Sequence, residues 1–285
     1  MTRGSCLCGA VTWQAAGPFD RMVHCHCSMC RKAHGAAFAT FAATPASGFE
    51  WRAGEERITR YESSESLSRP FCSTCGSVVP VAGGDPVFVP AGCLDDDPGV
   101  RPQAHIFAAS RAPWHEIRDA LPQFAAYPPG IPEPKLHPRP RAPRPTRPGV
   151  VRGSCLCAAV RYELEGELRG IVHCHCSRCR KARGAAHASN LFAAAAALRF
   201  VCGQDRIESF EVPDAERFTA SFCRVCGSPL PRLLGGQPIV GIPAGSLDDD
   251  PGARERMHIY CGSRAPWFEI DDDLPRFEEG PPARR

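Results

Sequence analysis

The chain has 285 residues, among them 17 cysteines and 29 prolines, and a formal charge of +3. That length accommodates one large domain or two of moderate size, and so small a charge argues against the basic footprint that nucleic acid selects. No stretch approaches the ~20 apolar residues that span a bilayer, the longest apolar run being the alanine-rich 191–198.

Gly4-Ser5-Cys6-Leu7-Cys8-Gly9-Ala10-Val11 stands near the start, preceded by nothing like the apolar part of a secretory leader, so a cytoplasmic location is expected. Strands are predicted at Ala10-Val11-Thr12-Trp13, Arg57-Ile58-Thr59-Arg60-Tyr61, Val87-Phe88-Val89 and Ala104-His105-Ile106-Phe107. These are short runs rich in β-branched and aromatic residues, bounded by Gly, Pro, Asp and Ser. After the first of them comes Val23-His24-Cys25-His26-Cys27-Ser28-Met29-Cys30-Arg31-Lys32, which sets three cysteines as C-x-C-x-x-C among two histidines with two cations behind. A short helix is predicted through Arg31-Lys32-Ala33-His34, stopped by Gly35. Phe71-Cys72-Ser73-Thr74-Cys75-Gly76 follows, then Asp95 to Asp97 before Pro98-Gly99, which read as a turn. His105 is expected to be a buried, hydrogen-bonded residue and Trp114 a core aromatic, like their counterparts His258 and Trp267.

Residues 127–148 hold nine prolines with arginines interleaved. Proline at this density has no amide donors and favours an extended path, predicting a semi-rigid linker. Beyond it the first half returns. Gly153-Ser154-Cys155-Leu156-Cys157 and Cys174, Cys176 and Cys179 lie 149 positions after their counterparts, Cys223 and Cys226 lie 151 after, and Ser263 to Trp267 lie 153 after Ser110 to Trp114. An offset that drifts so little marks a whole-domain duplication, and the period is too long for a solenoid. The predicted organisation is a domain at 1–126, a linker at 127–148 and a second domain at 149–285, with an internal pseudo-dimer as one arrangement of the pair.

Fourteen of the 17 cysteines recur in both halves, whereas Cys93, Cys202 and Cys261 do not and are read as packing residues. The odd count, the missing leader and the C-x-C and C-x-x-C spacings favour metal over disulfides. Seven cysteines divide as four plus three. Cys6, Cys8, Cys72 and Cys75 can close a tetrahedral structural zinc site, as can Cys155, Cys157, Cys223 and Cys226. Cys25, Cys27 and Cys30 remain, with Cys174, Cys176 and Cys179 in the second half. Arg31 and Lys32 are placed to offset their negative charge. Three protein ligands leave a zinc position open for chemistry. Their fourth ligand stays undecided at this level between His24 or His26, water and a substrate sulfur. Four zinc ions on fourteen thiolates would bring the net charge to about −3.

The order G-x-C-x-C-G-A-V, C-x-C-x-x-C-R-K and F-C-x-x-C-G, followed by H-I-F and S-R-A-P-W, resembles the glutathione-dependent formaldehyde-activating enzyme family, also described as the CENP-V/GFA domain. The resemblance covers both halves apart from the linker and the extreme ends. It implies a mainly β, Mss4-like fold of twisted antiparallel sheets with two zinc ions per domain. It also implies that the four-cysteine sets are structural and that Cys25, Cys27, Cys30, Cys174, Cys176 and Cys179 hold catalytic zinc. The implied activity is that of a carbon–sulfur lyase joining glutathione, a small thiol, to formaldehyde. A non-catalytic zinc-stabilised binding module is the alternative, with neither nucleic acid nor membrane expected as partner. The halves are not identical: Ala158 stands for Gly9, Arg183 for His34 and His187 for Phe38. The last two are expected to line the approach to the three-cysteine cluster and to make the copies handle substrate differently.

Overall fold

The computed structural model describes residues 1–130, 147–216 and 218–281; most of the expected linker, 131–146, lies outside them. The first half contains β1 (Thr2–Ser5), β2 (Thr12–Ala15), β3 (Arg21–Cys25), α1 (Ser28–His34), β4 (Ala39–Thr44), β5 (Phe49–Ala53), β6 (Ile58–Ser64), β7 (Leu67–Cys72), β8 (Val87–Pro90) and β9 (Ala104–Ile106). The second contains β10 (Val150–Ser154), β11 (Arg161–Glu165), β12 (Leu168–Cys174), α2 (Ser177–Arg183), β13 (Ala188–Ala194), β14 (Leu198–Cys202), β15 (Ile207–Glu211), β16 (Thr219–Cys223), β17 (Arg232–Leu233), β18 (Ile239–Pro243) and β19 (Glu255–Ile259). The mainly β, duplicated architecture expected from the sequence is the one observed.

Each half is built from three small sheets. In the first, β1-β2-β5 and the β6-β7 hairpin flank a four-stranded sheet in the order β8-β4-β3-β9; in the second, β17 adds a fifth strand to the corresponding sheet. One strand departs from the antiparallel expectation. β9 runs parallel to β3, pairing His24 with His105 and Cys25 with Ile106, and β19 does the same against β12. This long-range parallel edge is what brings residues of positions 104–107 beside the central cysteine stretch.

The helix begins earlier than its sequence signal suggested, because Cys27 caps it: its Sγ accepts the amide of Cys30 at 3.3 Å. Cysteine is not a usual capping residue, so the sequence carries no start signal at that position. The stop is as predicted, with Gly35 in the left-handed conformation (φ 60°) donating its amide to Arg31 O.

The halves pack on each other. Buried Trp13, Met22 and Val89 of the first belong to the same apolar cluster as Tyr162, Ile171 and Ile242 of the second. α1 lies on the 3-10 turn Ala244–Ser246 and α2 on its counterpart Ala91–Cys93. The approach demands glycine: a Cβ at Gly92 would sit 2.2 Å from Ala185 O, and one at Gly245 2.3 Å from Arg31 O. Lys32 does not serve its own cysteines as expected. Its ammonium crosses into the second half to Ser154 O (2.8 Å), Ser246 O (3.0 Å) and Asp248 (2.7 Å), and Lys181 reciprocates with Ser5 and Asp95. The aspartate triplets are therefore docking turns as well as Asx turns, since Asp97 also takes the Gly99 amide at 3.0 Å. Among the described residues no helix is long and apolar enough to cross a membrane.

Candidate metal centres

The structure gathers the fourteen recurring cysteines into four groups, in each of which the sulfurs lie within 4.8 Å of one another. Cys6 and Cys8 occupy the turn after β1, Cys72 ends β7 and Cys75 follows it. Cys6 and Cys8 sulfurs are 3.4 Å apart, and those of Cys8 and Cys72 are 3.8 Å apart; Cys155, Cys157 and Cys223 repeat both distances. Zn–S bonds of ~2.3 Å in a tetrahedron put sulfurs about 3.8 Å apart, so the donor set fits zinc. The Val11 amide points at Cys6 Sγ (3.3 Å). Ser77 Oγ accepts from the Leu7 amide at 3.0 Å and lies 3.3 Å from Cys75 Sγ, and Ser228 repeats this with Leu156 and Cys226. Such outer partners orient metal-binding sulfurs. Ser77 and Ser228 carried no sequence signal beyond standing one place after the glycine of F-C-x-x-C-G.

The three-sulfur groups form where a strand runs into a helix. Cys25 closes β3, Cys27 caps α1 and Cys30 lies in its first turn. Cys174, Cys176 and Cys179 have the same places around β12 and α2, with Cys174 and Cys176 sulfurs 3.6 Å apart. Among the described residues no histidine or carboxylate joins either group. The neighbouring imidazoles are engaged elsewhere. His24 Nδ1 meets Thr40 Oγ1 at 2.9 Å, and His173 lies between Ser189 and Glu255. His26 Nε2 is 2.8 Å from His105 Nδ1, while His105 Nε2 is 2.8 Å from Asp119.

That chain fixes tautomers. Asp119 can only accept, so His105 carries its hydrogen on Nε2 and must accept at Nδ1 from His26. His26 Nδ1 is then left unprotonated, buried and without a partner among the described residues. Burial draws the His26 imidazolium pKa down to about 2, which keeps the ring neutral. The second half repeats the arrangement as Asp272, His258 and His175, again with His175 Nδ1 unpartnered. His105 and His258 are thus buried and hydrogen-bonded, as expected. The roles of Asp119 and Asp272 were not visible, because nothing local links them to residues some fourteen positions away.

A cation faces each cluster. Arg69, buried on β7, sets Nη1 and Nη2 each 3.7 Å from Cys30 Sγ. Hydrogen bonds from Cys25 and Cys27, and then the charge of Arg69, hold the Cys30 thiol well below its ordinary pKa against the effect of burial. Arg31 stays beside its own turn, 3.4 Å from His26 O. Of the two departures expected near the clusters, Arg183 lies in a cavity beside Cys179. His187 instead lines a cavity at the seam between the halves, with His24, His115, His173 and Phe268. His187 stands in the bend just before β13, and its ring lies 5.5 Å from that of Phe38 in the other half. Cys93, Cys202 and Cys261 stay outside all four groups.

A family model described as glutathione-dependent formaldehyde-activating enzyme matches residues 1–110 and 150–263. No curated protein matches the chain. Among solved structures, a Rhodobacter sphaeroides protein is similar at 26% identity over 35% of this chain and 92% of its own, with a TM-score of 0.30.

Proposed function

The chain belongs to the glutathione-dependent formaldehyde-activating enzyme family, and from that premise we propose that it is a cytoplasmic zinc-dependent carbon–sulfur lyase with a reaction centre in each of two domains, at 1–126 and 149–285. The observation that carries the reading is the three-sulfur group, which no histidine or carboxylate among the described residues joins. In this reading Cys6, Cys8, Cys72 and Cys75, with Cys155, Cys157, Cys223 and Cys226, hold structural zinc and clip the first turn of each half to a distant hairpin, so that metal binding becomes folding energy. Cys25, Cys27 and Cys30, with Cys174, Cys176 and Cys179, hold the reactive zinc, which when bound supplies Lewis acidity that favours the thiolate form of a substrate thiol.

The reaction is addition of a thiol such as that of glutathione to formaldehyde. The S–C bond forms, the carbonyl π bond breaks, and the thiol proton ends on the new hydroxyl. Formaldehyde needs little activation, so the protein's main contribution is to hold the sulfur and the carbonyl in line. Arg69 offsets the charge of the thiolates. The Asp119–His105–His26 chain rigidifies the peptide between Cys25 and Cys27 and so holds the cysteines' spacing.

X-ray absorption and metal analysis of the purified chain, with and without glutathione, test this reading. Four zinc ions per chain are expected, with mean sulfur coordination rising when glutathione is added. Two zinc ions per chain, unchanged by the thiol, would overturn it.

A further inference from the structure

The two three-sulfur centres differ in charge. Three thiolates on one divalent ion carry a net −1. In the first half Arg69 cancels it, and the helix-end position beyond the cluster is His34, a neutral imidazole whose Nδ1 rests on Arg183 O at 2.6 Å. In the second half the residue equivalent to Arg69 is Ala220, and two guanidiniums take its place: Arg232 on β17, where the first half has Val81, and Arg183 at the end of α2. Both line one cavity with Cys179, Asn190, Phe218 and Ser221.

Neither guanidinium has a carboxylate partner among the described residues. Among the described residues the Arg183 guanidinium reaches the side-chain oxygen of Asn190, at a long 3.5 Å, and Arg232 lies over the Phe218 ring, 5.6 Å from its centroid. Burial pulls the Arg183 pKa down to about 10, as it does for a cation stripped of water and given no full counter-charge. Counting three thiolates and a bound divalent ion, the two guanidiniums leave the second three-sulfur centre one positive charge in surplus, where Arg69 leaves the first with none; Cys75 of the first half's four-sulfur group also lines the cavity.

We propose that the cavity at Arg183 and Arg232 is a carboxylate subsite, so that the second half takes a thiol substrate bearing a carboxylate while the first half has no such selectivity. The inference rests on the proposed function for the meaning of the neighbouring metal centre, but the subsite itself needs only the arginine pair. Guanidinium forks are suited to carboxylates, and the aromatic ring beneath Arg232 restricts its plane. Each charged hydrogen bond in a half-buried cavity is worth about tenfold to hundredfold in affinity.

The test is calorimetric titration of the zinc-loaded full chain with S-methylglutathione, which has carboxylates but no free thiol, beside 3-mercaptopropionate and 2-mercaptoethanol. One S-methylglutathione site per chain is expected, weakened at least tenfold in Arg232→Val and in Arg183→His, which install the first half's residues, and largely kept in Arg232→Lys. No binding, two equal sites, or an affinity indifferent to all three substitutions would overturn the subsite. The other two probes separate this outcome from failure of the proposed function. Arginine-dependent S-methylglutathione binding with no thiol entering the zinc shell would keep the subsite and remove the lyase reading. Equal binding of both thiols at the metal would do the reverse.

Discussion

Replacing Lys32 by methionine removes one ammonium and keeps most of the aliphatic stem. The loss is large because the group is enclosed: the Lys32 side chain is 7% exposed and that of Asp248 16%. The ammonium satisfies two backbone carbonyls and the Ser154 hydroxyl (3.1 Å) besides the carboxylate. Taking one partner from a buried ion pair costs about 3–5 kcal/mol, since the other charge stays desolvated. Lys181 provides an internal control. It makes the equivalent contacts to Ser5 and Asp95 with 20% and 32% exposure, where water softens the loss to about 1 kcal/mol. Urea unfolding of the zinc-saturated chain should therefore show Lys32→Met losing at least twice as much as Lys181→Met. Equal losses, or less than about 1 kcal/mol for Lys32→Met, would refute the claim that the crossing ammonium is a buried joint between the halves.

Ala158 sits at φ 59° where Gly9 has φ 73°, in the region that disfavours a side chain. Ala158→Gly should raise stability by about 1 kcal/mol in the same assay, and a loss would show that the Cβ packs usefully. The two kinds of cysteine group should respond differently: Cys72→Ser is expected to lower the yield of folded chain, and Cys27→Ser to leave circular dichroism intact while removing one zinc. Loss of fold in both would mean that all four groups are structural. Asp119→Asn should speed loss of zinc from the first half to a chelator about tenfold, through the released His105–His26 pair; unchanged release would detach that chain from the metal centre.

The cysteine spacings, the repeat, the short strands and the stop at Gly35 are local properties, and one-dimensional order is enough to expose them. C-x-C and C-x-x-C describe turns of a few residues, whose geometry hardly depends on the rest of the chain. What faces each three-sulfur group is set by sheet register and by docking of the halves. The parallel pairing of β9 with β3 places His105 against His26, and so withdraws that imidazole from the sulfurs. The arginine opposite the cluster comes from β7 in one half and from β17 in the other, a change that no alignment of short motifs exposes. Lys32, adjacent to the cluster in sequence, belongs to the other half in space. Sequence alone determined which side chains can bind metal, because ligand spacing is a local matter. Only the tertiary structure decided what surrounds them, because charge and hydrogen bonding act between residues that the fold, not the chain order, makes neighbours.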